Sequence, residues 1–88
     1  MFMPTDLEKA QVMFKLARKD NWDVRYDRTE HFKRFQDLKE IIKGLSNLKW
    51  LIIHKKPKFT GLSLNTSFKK EIVEFIEKHM PQVKGYVH

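Results

Sequence analysis

Apolar residues recur at helical spacing in the first part of the chain. The apolar positions of this stretch are Leu7, Ala10, Met13, Phe14 and Ala17. Spacings of three and four residues place such positions on one face of an α-helix. Thr5 and Glu8 match the T-x-x-E pattern of a capping box. These signals predict a first helix over residues 5–19, with Asp20-Asn21 as its stop.

The next stretch, "WDVRYDR", alternates between apolar and charged residues. Trp22, Val24 and Tyr26 are separated by Asp23 and Arg25. Alternation with period two, carried by aromatic and β-branched residues, predicts a short half-buried strand.

The middle of the chain returns to helical spacing. Thr29 is a candidate cap for "EHFKRF", and Asp37 opens the D-x-x-E pattern of a second capping box. The pattern favours two short helices, at 29–36 and 37–48. A single helix from about residue 29 that ends at Gly44 is the alternative, because glycine is the commonest residue just beyond a helix.

The last third predicts a hairpin followed by a helix. "KWLIIHKK" has the composition of a strand, "PKFTG" that of a turn, and "LSLN" that of a returning strand. Asn65, Thr66 or Ser67 caps a final helix that Pro81 ends. Residues 81–88 form a tail, either loose or added as an edge strand. We therefore expect one α+β domain over residues 1–88, with the core in 5–80 and the order α-β-α-α-β-β-α.

Charge is distributed unevenly along this pattern. The chain of 88 residues carries a net charge of +7. Residues 31–60 hold eight Lys and Arg against two acidic residues, whereas residues 1–30 balance to zero. A segregated basic segment is typical of proteins that bind polyanions, although small proteins also use such charge for solubility.

Composition narrows the functional classes. The chain has no cysteine, which excludes disulfides, thiolate nucleophiles and thiolate metal sites. Its four histidines form no H-x-x-x-H pair, so we expect no metal, and no catalytic motif or cofactor loop is present. No apolar run is long enough to span a bilayer, and we expect a cytoplasmic protein without membrane contact. The absence of cysteine and the many Lys and Glu residues suit a thermophile.

The element order and the segment "FQDLKEIIKGLSNLKWLIIHKK…GLSLNTSFKKEIVEFIEKH" resemble the winged helix-turn-helix family. The resemblance covers residues 5 to about 80. In that family a recognition helix enters the major groove of DNA and a basic wing contacts the adjacent backbone or minor groove. The resemblance implies a small DNA-binding protein, transcriptional or chromatin-associated, with double-stranded DNA as its partner.

The resemblance assigns contacts to three segments. Lys33 and Arg34 on the preceding helix would reach phosphates, the recognition helix would be residues 37–48, and the wing tip would lie near residues 54–60. The candidate DNA-binding residues are Lys33, Arg34, Lys39, Lys43, Asn47, His54, Lys55, Lys56, Lys58 and Phe59. Lysine binds phosphate as a point charge and reads bases poorly. Because the recognition helix lacks Arg and Gln, we expect contact mainly with the backbone and weak sequence specificity, unless Asn47 or Arg34 reads a base.

Each of these assignments has an alternative. The helix lysines could form an ordinary solvated face, and the hairpin lysines could protect a strand edge from aggregation. Phe59 could stack on a base or fold back on its own hairpin. His54 could gain charge at lower pH and strengthen binding to a polyanion.

The rival hypothesis is a winged-helix module that binds another protein and no nucleic acid. A third class is a binder of polyanions or RNA. Winged helices often pair through their first and last helices, so a homodimer through these elements is a further expectation. The apolar residues that it would use are Met13, Phe14, Phe68 and Phe75.

Overall fold

Three α-helices and a three-stranded antiparallel sheet make up the computed structural model, which describes residues 5–87. The elements are α1 (Asp6–Arg18), β1 (Asp27–Arg28), α2 (Leu38–Asn47), β2 (Leu51–Lys55), β3 (Thr60–Leu64) and α3 (Lys69–His79). Three 3₁₀ turns, at Thr29–Phe32, Thr66–Phe68 and Pro81–Val83, connect or follow them. The α+β class is confirmed, but the first strand is shorter than predicted and a 3₁₀ turn takes the place of the first of the two predicted central helices.

Helix α1 begins as predicted. The backbone N–H of Glu8 donates to Thr5 Oγ1 at 3.1 Å, and the Thr5 N–H donates to Glu8 Oε1 at 3.0 Å, which completes the capping box. The buried face is Ala10, Val12, Met13 and Leu16. Leu7, which the spacing assigned to this face, is instead exposed.

The strand predicted over 22–28 is wrong for most of its length. Only Asp27 and Arg28 pair with β3, and Trp22 forms an isolated bridge to Leu64. Asp23 adopts a left-handed conformation with φ 57°, which interrupts the extended backbone. Val24 is therefore turned into solvent, 83% exposed.

The predicted pair of central helices is also wrong, because the first of them is a single 3₁₀ turn. Asp37 precedes α2, but its side chain makes no capping hydrogen bond. Gly44 lies inside α2. The helix ends at Asn47 with Leu48 as its C-cap, and the next residue, Lys49, has a φ of 64°. The Lys49 N–H donates to Ser46 O, and the Trp50 N–H donates to Leu45 O. This is a Schellman ending with lysine at the left-handed position.

The sheet and helices enclose one core. The strand order is β1-β3-β2, so β3 is central, and His54 lies opposite Gly61 in the β2–β3 pair. The fully buried side chains include Phe32, Met13, Leu16, Ile41, Leu45, Leu62, Leu64, Ile72 and Ile76. Asn65 caps the final helical segment by accepting from the Ser67 N–H. Through residue 87 the tail contains a 3₁₀ turn and adds no strand.

Candidate nucleic-acid interface

Helix α2 carries a polar stripe on the face that points away from the core. Lys39, Lys43 and Asn47 are all exposed and follow one another at intervals of four residues. Ile41 and Leu45 lie on the opposite side and are fully buried. Ten helical residues span about 15 Å, and each step of the stripe is about 6 Å. Because Gly44 does not end the helix, the stripe is continuous.

Lys33 and Arg34 lie between the first 3₁₀ turn and α2. Their side chains are exposed, while the flanking Phe32 and Phe35 are buried and anchor the segment. The Arg34 guanidinium lies 4.8 Å from the centroid of the Phe35 ring. This stacking limits the freedom of Arg34 without pairing its charge.

The hairpin presents three lysines around its turn. Lys55 is the last residue of β2, and Lys56 and Lys58 flank Pro57; all of them are exposed. The Lys56 N–H donates to the Phe59 carbonyl at 2.9 Å, which closes the turn.

His54 and Phe59 do not project from the hairpin tip. His54 lies inside β2, and its Nε2 is 2.8 Å from Ser63 Oγ and 3.1 Å from the Asp23 carbonyl oxygen. The buried Ser63 hydroxyl donates to Asp23 O at 2.7 Å. Its oxygen is then an acceptor for an N–H at Nε2. The histidine thus joins the hairpin to the loop after α1.

Phe59 folds inward, but it packs on Tyr26 and Arg28 of the β1 region and not on its own hairpin. Its ring centroid lies 5.8 Å from that of Tyr26, and the Arg28 guanidinium covers it at 4.2 Å. Tyr26 in turn lies 4.9 Å from His54, between centroids. The cluster of Tyr26, Arg28, His54 and Phe59 fixes the hairpin against β1.

The basic residues of these segments have no acidic partner among residues 5–87. Within that range, the ion pairs of Lys and Arg at 4.0 Å or less involve Lys9, Lys19, Arg25 and Arg28. No carboxylate lies that close to the seven candidate cations, which are Lys33, Arg34, Lys39, Lys43, Lys55, Lys56 and Lys58. Their charge is therefore available to an external anion.

A charged cluster that sequence patterns did not predict lies where α1 meets β1. Asp27 is buried and accepts hydrogen bonds from His31 Nδ1 and, at 3.3 Å, from Lys19 Nζ. Burial alone would raise the pKa of the Asp27 carboxyl, but the hydrogen bonds from His31 and Lys19, together with the charge interactions of the same two groups, outweigh it and hold that pKa below the ordinary value of 3.8. Lys15 Nζ donates to the His31 carbonyl. The i,i+4 spacing of Lys15 and Lys19 is visible in the sequence, but their partners, His31 and Asp27, come from another segment.

The apolar residues considered for a homodimer lie mostly within the chain's own core. Met13 is fully buried, and Phe14, Phe68 and Phe75 are partly buried against the core. The Phe75 ring packs edge-on against Trp50, with 5.5 Å between centroids.

Two classes of feature are not found over residues 5–87. No group of three or more His, Asp or Glu side chains in this range is arranged to hold a metal ion. None of the helices that the structure describes is long and apolar enough to cross a membrane.

Comparison with known proteins adds no further assignment. Neither a protein-family model, nor a curated protein, nor a solved structure matches this chain.

Proposed function

We propose that this protein binds double-stranded DNA through a winged-helix arrangement, with α2 as the groove helix and the β2–β3 hairpin as the wing. The observation that carries the proposal is the exposed stripe of Lys39, Lys43 and Asn47 on an uninterrupted helix. A major groove admits one α-helix, and this face offers it two cations and one amide, beside the exposed carboxylate of Glu40.

The mechanism is neutralisation of phosphates. The seven candidate cations are exposed and free of acidic partners among the described residues, so binding releases counterions from DNA without first breaking an ion pair of the protein. Lysines dominate this set, which favours weak dependence on base sequence. Asn47, at the end of the stripe, is the side chain suited to read adenine.

The salt dependence of duplex binding tests the proposal. Fluorescence anisotropy with a random-sequence duplex should give log K against log[salt] with a slope of roughly −4.5 to −6.3, if five to seven cations contact phosphates. Absence of binding at low salt would refute DNA binding and favour the protein-partner hypothesis. Preference for single strands over duplex would favour RNA or another single-stranded ligand.

Two double variants that remove the same charge distinguish phosphate contacts of the α2 stripe from an effect of the net charge of the protein. Lys39→Gln with Lys43→Gln should make the slope shallower by roughly 1.8, because two phosphate contacts are lost. Lys70→Gln with Lys78→Gln removes the same charge from exposed positions on α3 and should leave the slope nearly unchanged. Equal effects of the two pairs would mean that net charge alone, and not the stripe, drives binding.

A further inference from the structure

Strand β2 forms one edge of the sheet, because it pairs with β3 on one side and, over residues 5–87, with no strand on the other. At one end of this pair the Lys56 N–H donates to the Phe59 carbonyl, and at the other end the Asn65 N–H donates to the Trp50 carbonyl, both at 2.9 Å. In an antiparallel ladder every second residue of a strand bonds to the same neighbour. The backbone groups that bond to β3 are therefore those of residues 50, 52, 54 and 56, and those of residues 51, 53 and 55 point outward.

The opposite side of β3 follows the same alternation. Leu64, which lies opposite Leu51, bonds away from β2, since its carbonyl accepts from the Asp23 N–H at 2.8 Å. Leu51 is buried, whereas Ile53 is 37% exposed and Lys55 is also exposed. The accessible part of the edge is thus the backbone of Ile53 and Lys55. Their N–H and C=O groups have no hydrogen-bond partner among the residues that the structure describes.

Positive charge is what protects this edge. Proteins usually shield an exposed edge strand with a bulge, with proline or with charged side chains. All five residues of β2 pair with β3 in continuous register, without a bulge, and Pro57 lies beyond the end of the strand. Residues 41–70 contain seven Lys and no Asp or Glu. Among residues 5–87, no carboxylate lies within 4.0 Å of Lys49, Lys55, Lys56 or Lys58.

A second copy of this chain is a poor occupant of the edge. Antiparallel pairing of two β2 strands centred on Ile53 would place residues 49–50 of one chain opposite residues 56–57 of the other. Lysines would then meet at both ends of the pair, and like charges that face each other across strands are destabilising. Each chain also carries a net charge of +7. The same lysines attract an acidic strand, so charge discriminates between the two occupants.

From this geometry we infer that the β2 edge binds an extended acidic segment of a partner protein, which adds to the sheet as a further antiparallel strand. Strand addition takes its affinity from backbone hydrogen bonds and its specificity from alternate side chains. Ile53 lies opposite the fully buried Leu62, so a partner residue beside Ile53 would lie on the core side of the sheet and should be apolar. The partner residue two positions earlier would lie beside Lys55 and should be acidic. This site does not depend on DNA binding, although Lys55 belongs to both surfaces.

Amide hydrogen exchange measured by NMR on the full chain tests the inference, with the capped peptide Glu-Glu-Thr-Val-Thr as the probe. In the expected register its valine lies beside Ile53 and its second glutamate beside Lys55. The amides of Ile53 and Lys55 should exchange rapidly in the free chain and about tenfold more slowly at saturating peptide, whereas those of Ile52 and His54 should be protected throughout. No added protection of Ile53 and Lys55 at millimolar peptide would refute the inference. Protection that grows with protein concentration in the absence of peptide would identify a second copy as the occupant and would overturn it.

Controls on the peptide distinguish strand addition from attraction between charges. Methylation of the backbone nitrogens of its valine and its second glutamate keeps every side chain but removes the two N–H groups that face β2. The methylated peptide should not protect Ile53 or Lys55. Equal binding of the two peptides would mean that charge alone attracts them, and would refute strand addition.

Variants of the chain test the register. Ile53→Pro removes an outward N–H and leaves the β2–β3 ladder intact, so it should weaken peptide binding by roughly 2- to 12-fold. Protected amides of Ile52 and His54 verify its fold, and if it does not fold the methylated peptide still decides. Lys55→Glu should reverse the preference, so that Lys-Lys-Thr-Val-Thr binds better than the acidic peptide, whereas Lys70→Glu, at an exposed position on α3, should not. A preference for the acidic peptide that survives Lys55→Glu would contradict the inferred site.

Discussion

Replacing Gly61 with alanine should weaken the attachment of the hairpin to β1. Gly61 pairs with Arg28 and lies directly under the Tyr26 ring. A Cβ at this position would lie 2.9 Å from Tyr26 Cγ and nearer still to Cδ1, distances that side-chain carbons do not adopt. The glycine is required by the close approach of the ring. The alanine methyl therefore forces Tyr26 to move.

The size of the effect follows from what Tyr26 contacts. Overpacking a well-filled site costs roughly 1–3 kcal/mol. Displacing Tyr26 also disturbs its packing with His54 and Phe59, and each aromatic pair contributes about 0.5–1.5 kcal/mol beyond burial. We expect Gly61→Ala to lower the free energy of unfolding by about 2 kcal/mol, which is a fall in Tm of roughly 8–16 °C for a domain of this size.

A double-mutant cycle isolates the steric cause. Urea denaturation followed by circular dichroism gives the free energy of unfolding of the wild type, Gly61→Ala, Tyr26→Ala and the double variant. Once the ring is absent, the alanine methyl has room, so the double variant should be more stable than the sum of the single changes predicts, by 1 kcal/mol or more. Additive effects, or a cost of Gly61→Ala below about 0.5 kcal/mol, would refute the explanation.

Two further predictions concern α2 and the buried carboxylate. Gly44→Ala should raise the free energy of unfolding by roughly 0.5–1 kcal/mol, because glycine inside a helix is less favourable than alanine. A Cβ at this position would meet only side-chain atoms of Lys9, at an ordinary van der Waals distance of 3.7 Å. A loss of stability in thermal unfolding would contradict the position of Gly44 inside α2. Asp27 has a lowered pKa in the folded state, so its contribution is present above the unfolded value near 3.8 and is lost as pH falls through the lower folded value. The stability difference between wild type and Asp27→Asn should therefore shrink below about pH 4, and a difference that stays constant down to pH 2 would contradict this role.

Local signals predicted the elements that depend on local interactions. The capping box of Thr5 and Glu8 forms as expected, because its two hydrogen bonds join residues three apart. Asn65, one of three candidate caps, accepts from Ser67. The central helix and the hairpin also lie close to their predicted places. In each case the interacting residues are close together in the chain. They supply the donor and the acceptor of a capping hydrogen bond, or the regularly spaced apolar positions of one element.

Predictions failed where one sequence pattern is compatible with more than one local structure. Asp37 carries the same pattern as Thr5, yet its φ of −104° and ψ of 38° do not bring the side chain to the free N–H groups. Gly44 was a candidate helix end, but the left-handed position is occupied by Lys49. The alternation at Trp22 to Tyr26 ends because Asp23 turns to accept hydrogen bonds from Thr66, 43 residues away.

The candidate interface likewise has features that the sequence predicted and features that depend on tertiary contacts. The sequence by itself determined that residues 31–60 are basic and that Lys39, Lys43 and Asn47 recur at helical spacing, because charge and periodicity are properties of the chain order. Only the tertiary structure decided that Phe59 and His54 turn inward, and that Lys19 and His31 both contact a buried Asp27. The contacts of Phe59 and His54 join segments far apart in the chain, and the pairing of β1 with β3 is what brings those segments together.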